Sequence, residues 1–121
     1  MSTLRADIED LQQRYDEGLS ADDVGEAEHA LLDEFLEALE TGEIRAAEKR
    51  DDGWAANGWV KQGILLNFGL RAIRTHTHGG VEYLDVLPLR ETDDLPMRGT
   101  RNTPDGTVIR RGAYVGSDAI L

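Results

Sequence analysis

From Ile109 to the last residue the chain keeps a period of six. Ile109, Val115 and Leu121 are aliphatic at a constant interval, and Ala113 and Ala119 each stand four places after one of them. Six residues fit one flat face of a triangular, left-handed parallel β-helix: the aliphatic points into a narrow core, a small residue turns the corner, and polar positions face water. A coil of such a solenoid cannot bury its apolar face alone and needs stacked neighbours. The sequence holds two hexads and the first residue of a third, so it is expected to be the front end of something larger. The competing reading is a chance pair of hexads in a strand-rich tail. Residues 109–121, with no coil above Ile109, Val115 and Leu121, are expected to be disordered or borrowed by a neighbouring molecule.

At 121 residues one compact domain is the natural expectation. No stretch approaches the roughly 18 consecutive apolar residues of a membrane span, and Met1 to Asp7 has no apolar core of the signal-peptide kind. Cysteine is absent, which excludes a disulfide framework and thiolate chemistry. These features fit a cytoplasmic protein with no membrane partner.

The net charge of −11 is unevenly placed. Residues 1–52 carry 17 acids against 5 bases, whereas residues 53–121 carry 7 against 8. The acidic half repels phosphate backbones, which argues against nucleic acid as a partner, and reads as solvated helical faces. In the back half Arg90, Arg98, Arg101, Arg110 and Arg111 fall within 22 residues with no lysine among them. Arginine suits bidentate contacts to carboxylate or phosphate, so a small anion would bind there.

Apolar spacing predicts two amphipathic helices before Gly42, one through Leu4, Ile8, Leu11 and Tyr15, the other through Val24, Ala27, Leu31, Phe35 and Leu39. Gly18 breaks the first. Ser20 with Asp23 resembles a capping box, and Thr41-Gly42 closes the second. Ile44 to Lys49 reads as a short strand and Arg50 to Gly53 as a turn. Asn57 to Leu70, with Val60, Ile64 and Phe68 at steps of four and Trp59 and Leu66 widening the face, reads as a buried helix. Ala72 to His76 and Val81 to Leu89 read as a hairpin around His78-Gly79-Gly80. From Arg90 the chain is loop until the hexads. The expected fold class is therefore α+β: a helical pair, a helix packed on a small antiparallel sheet, then the first incomplete coil of a left-handed parallel β-helix. The expected division is 1–89 as the α+β domain, 90–107 as linker and 108–121 as the start of the β-helix.

Four signatures in order carry a resemblance. They are Ile44 to Lys49 with Gly53-Trp54 and Trp59 to Phe68; Tyr83-Leu84-Asp85-Val86-Leu87-Pro88; Arg101-Asn102-Thr103-Pro104; and Val108 to Val115. Together they resemble the N-terminal domain of the tetrahydrodipicolinate N-succinyltransferases and the lead into their β-helix. The resemblance implies a cytoplasmic homotrimer of the diaminopimelate and lysine pathway, an acyltransferase. It would move a succinyl group from succinyl-CoA to the amino group of the ring-opened dicarboxylate substrate, in a cleft between neighbouring subunits. Succinyl-CoA is then a co-substrate, and no tightly bound cofactor is implied. The family's substrate-binding arginine maps onto Arg101, where a guanidinium fork suits a carboxylate. Thr100 stands where an aromatic is common, and Asn102-Thr103 replaces two aliphatics. The family's second substrate-contacting carboxylate, an Asp in the next coils, and the coils that hold the coenzyme would lie past Leu121, so no catalytic residue is assigned. The 121 residues alone are expected not to catalyse the transfer.

Other constellations read as structural. His76 and His78 share one strand face, which can begin a metal site, but two ligands without a third mark an exposed hairpin end, and no metal site is assigned. His29 reads as a surface residue. Trp54 and Trp59 could stack on a ligand but are expected in the core. The alternative function is a stand-alone, non-catalytic α+β packing or regulatory module whose hexads pair as an edge with another chain.

Overall fold

The computed structural model of the chain describes residues 2–121. Helix α1 (Ser2–Asp16) and helix α2 (Glu26–Thr41) are joined through a 3-10 turn at Ala21–Asp23. Strands β1 (Ala47–Arg50) and β2 (Gly53–Ala56) form a hairpin, helix α3 (Gly58–Gly69) follows, and β3 (Arg74–His78) pairs with β4 (Val81–Asp85). A second 3-10 turn, Pro96–Arg98, interrupts the irregular stretch that leads to the tail. The fold is α+β, with three helices and two separate two-stranded antiparallel sheets.

The core belongs to the helices. Ile8 and Leu11 of α1, Leu32, Phe35 and Leu36 of α2, and Val60 and Leu66 of α3 are buried together, closed off by Leu70 and Leu87. Each helix contributes residues three or four apart, so each turns one stripe inward. The stripe of α2 is rotated by one position from the expected one: Leu32 and Leu36 go in with Phe35, while Leu31 and Leu39 are only partly covered. On α3 the buried line is Val60, Gly63, Leu66 and Asn67, while Phe68 lies at the surface. Trp59 meets Phe35 edge to face, with ring centroids 6.1 Å apart.

The expected packing of α3 on a sheet is corrected by this arrangement. No residue of any strand is buried, so neither hairpin offers an apolar face to lie on. Helix α3 rests on α1 and α2 instead. Strand β2 was not expected either, because four residues beginning Gly-Trp show no alternation. Its ladder to β1 and the side chain of Asn57 hold it: Asn57 Nδ2 donates to the Arg45 carbonyl at 2.7 Å and to Glu48 at 2.8 Å. Trp54, expected inside, is 73% exposed on this ribbon.

Both expected caps are present, although the first opens a 3-10 turn rather than α2. The Ser20 backbone N–H and hydroxyl both donate to Asp23 Oδ2, at 3.1 and 2.9 Å, and so cap the 3-10 turn. The start of α2 is capped one step later, by Glu28 accepting from the Gly25 N–H at 2.7 Å. Gly42 ends α2 in the left-handed region at φ 78°, where its N–H reaches the Leu39 carbonyl. No helix of the described residues is long and apolar enough to cross a membrane.

Gly63 is where α3 and α2 come closest: a Cβ built on it would run into the ring of Phe35. A Gly63→Ala variant gains roughly 1 kcal/mol of helix propensity and is expected to lose more from overpacking, typically ~1–3 kcal/mol. A fall in the urea midpoint checks this, and a rise would show that the ring has room to move.

Candidate functional site

The tail is tied to the rest of the chain backbone first. Leu89 and Arg110 form an antiparallel bridge, with the Arg90 N–H donating to the Ile109 carbonyl at 2.7 Å and the Arg111 N–H to the Pro88 carbonyl at 2.9 Å. Ten residues on, the Pro96–Arg98 turn closes at Gly99, whose φ of 74° brings the Thr100 N–H onto the Leu95 carbonyl. Arg101 then pairs in parallel with Ile120: its N–H donates to the Ala119 carbonyl and its carbonyl accepts from the Leu121 N–H, both at 2.8 Å. Thr100 is buried, and its hydroxyl donates to the Gly116 carbonyl at 2.9 Å. Thr103 Oγ1 donates to the Leu121 carbonyl at 2.8 Å.

Inside these loops Leu95, Ile109 and Val115 are buried together, with Ala119 and Leu121 packed against them. The tail was expected to be disordered or borrowed by a neighbouring molecule, but its aliphatics pack on the stretch before them. Leu95, which carried no periodic signal, supplies the apolar cover, and the ladder along Arg101 takes up the backbone groups of 119–121. Residues 109–121 are therefore placed against residues 88–103 of their own chain.

Side chains join this unit to the helices. Glu40, in the last turn of α2, accepts from Arg111 Nε at 2.9 Å and from the Gly112 N–H at 2.7 Å. Tyr114 lies against Gly42 with the guanidinium of Arg45 4.0 Å and that of Arg98 5.1 Å from its ring centre. Arg71 donates from Nε to Asn67 at 2.9 Å and from Nη2 to Asp33 at 2.7 Å, and buried Asn67 donates to the Gly63 carbonyl at 3.0 Å.

The five clustered arginines do not share one fate. Arg90 clasps both carboxylate oxygens of Asp94, at 3.0 and 3.1 Å. Arg98 stands 3.7 Å from the same carboxylate, Arg110 holds Asp85 at 2.8 and 2.9 Å, and Arg111 holds Glu40. Arg101 is exposed, and among the described residues no side chain pairs with it. Clefts of about 560, 550 and 470 Å³ lie elsewhere, and Arg101 lines none of them.

Two of the paired carboxylates, Asp94 and Asp85, sit below the ordinary aspartate value. The hydrogen bond from Arg90 is the main reason that the Asp94 carboxyl sits below the ordinary aspartate value. For Asp85 the backbone N–H of Val86 does most, followed by Arg110. Both pKa values are lowered, so both pairs add stability above the ordinary aspartate range and lose it as the pH falls through the lowered values.

His76 and His78 lie on β3, with His76 Nε2 3.3 Å from the Asp85 carbonyl oxygen. Among the described residues no three His, Asp or Glu side chains gather as a metal site. Glu40, Asn67 and Arg71 carried no signal in the sequence, because their partners are 38 to 72 residues away or sit on the inner side of a helix.

An α+β domain that hands over to a folded, hexad-patterned strip is thus the class of protein in view. Residues 3–70 match the family model described as Tetrahydrodipicolinate N-succinyltransferase N-terminal. The chain belongs to the tetrahydrodipicolinate N-succinyltransferase family. A 2,3,4,5-tetrahydropyridine-2,6-dicarboxylate N-succinyltransferase of Coxiella burnetii is 32% identical over 123 residues, which cover all of this chain and 45% of that protein. Proteins of the same name from Actinobacillus succinogenes and Alkalilimnicola ehrlichii are 32% and 38% identical over 125 and 92 residues. The chain spans about 45% of the length of the Coxiella and Actinobacillus relatives.

Two outcomes test the geometry. In a Glu40→Ala variant the Gly112 amide loses its acceptor, and its hydrogen exchange is expected to quicken about tenfold or more while the amides of α1 hardly change, the mark of a local opening. In an Arg90→Ala variant the Asp94 carboxyl, followed by carbon NMR, is expected to titrate at higher pH than in the parent chain. An unmoved titration would show that Arg90 is not its main partner.

Proposed function

We propose that the chain supplies the amino-terminal domain and first coil of a cytoplasmic enzyme that succinylates ring-opened tetrahydrodipicolinate with succinyl-CoA, on the way to diaminopimelate and lysine. The reaction is acyl transfer. The amino nitrogen forms an amide bond to the succinyl carbonyl, the carbon–sulfur bond of the thioester breaks, and the proton leaving nitrogen passes to the departing thiol. Family membership and the relatives' printed names support the reaction class.

Arg101 is the residue proposed to grip a substrate carboxylate. The observation that carries this is its difference from its neighbours: the other four arginines of the cluster face carboxylates of the chain, and among the described residues Arg101 does not. Its backbone is fixed on both sides by the ladder to 119–121, so the side chain starts from a rigid point with paired donors free. The parallel bridge joins residues 19 positions apart, about one turn of three six-residue faces, which supports reading 101–121 as the opening coil of a left-handed β-helix. Further coils would bring the acyl donor and a neighbouring subunit of a homotrimer over Arg101.

The test is a chimera in which these 121 residues replace the corresponding part of the Coxiella relative. It is expected to transfer succinyl groups, and Arg101→Ala is expected to lower kcat/KM about 100-fold, as for a lost hydrogen bond to a charged group of roughly 2–3 kcal/mol. An unchanged kcat/KM would remove Arg101 from the site. The 121 residues by themselves are expected to show no turnover, and turnover would mean that the whole site lies within them.

A further inference from the structure

We infer that the cleft of about 470 Å³ between α2, the start of β3 and the tail is a second anion site, built for a compact dianion such as inorganic phosphate or a short dicarboxylate. It is walled by Arg71, Arg74 and Arg111, with Asp33 as the carboxylate of its lining and the imidazoles of His29 and His76 on its sides. In a chain of net charge −11 this site is locally positive, three guanidinium groups standing against Asp33 in the lining and Glu40 behind Arg111.

The donors are both held and available. Arg71 is fixed by Nε to Asn67 and by Nη2 to Asp33, which leaves Nη1 without a partner among the described residues. Arg111 is fixed by Nε to Glu40 and by Nη2 to the Asp33 carbonyl at 3.4 Å, which again leaves Nη1. Arg74 has no side-chain partner among the described residues and stands at the first position of β3. Two anchored guanidinium groups and one free one can converge on a single anion without paying the ordering cost three times. The three belong to different parts of the fold, the end of α3, the hairpin and the tail, so a bound anion would also clamp the tail to the helices.

Nitrogen-15 NMR titration of the 121-residue chain decides it, with phosphate and succinate added separately at constant ionic strength. Amides of 71–76 and 111–112 are expected to shift and saturate in at least one series, and the series that binds more tightly names the kind of dianion. An Arg74→Ala variant, altered only at an exposed strand end, is expected to weaken that binding about tenfold. Arg101→Ala is expected to leave it unchanged, so failure here and failure of the proposed substrate grip are separate results. No saturable shift in either series, or equal binding by the Arg74→Ala variant, overturns the site.

Discussion

Glu40 makes the ion pair by which helix α2 holds the tail. It lies in the last turn of α2, where the helix dipole disfavours an anion and where α2 has no basic residue of its own. Arg111, 71 positions later, supplies that cation, and the Gly112 N–H satisfies the second lone pair. A carboxylate badly placed for its helix is thus well placed for the tail, because the side chain is only 13% exposed and both its bonds are charge-assisted. Tyr114 packed on Gly42 and flanked by Arg45 and Arg98 extends the same contact along the strip. The tail, whose own apolar cluster is three buried side chains, gains its position.

The aliphatics of the tail are covered from within the same chain. Leu95 packs on Ile109 and Val115, and Arg101 bridges Ile120 in parallel. The arginines between them are sorted by carboxylates that local chemistry has placed: Asp94 four residues after Arg90, Asp85 at the end of β4 opposite Arg110. Arg101 is the member of that cluster left without a carboxylate partner among the described residues.

Much of this was legible in the residues. The two amphipathic helices, the Asn57 to Leu70 helix and the hairpin around Gly79-Gly80 follow from periods and turn residues that act over a few positions. The hexads and the Arg101 motif marked the C-terminal strip before any contact was known. What was hidden was relational. Nothing local distinguishes Glu40 from Glu37, or Leu95 from an exposed loop leucine. The inward face of α3 was misjudged because Val60, Ile64 and Phe68 share a stripe that α1 and α2 overrule at Gly63, where only a residue without a side chain lets Phe35 in.

The sequence by itself determined the element types, the α+β class, the acidic front and the six-residue beat of the end, because each rests on interactions between near neighbours in the chain. The tertiary structure alone decided that α3 packs on helices rather than on a sheet, that Trp54 stays in water, and that Arg101 has no intrachain carboxylate among the described residues while Arg90, Arg98, Arg110 and Arg111 are paired. Burial and ion pairing are settled by where distant segments meet, and identical residue types in one stretch of chain meet different neighbours once the backbone has turned.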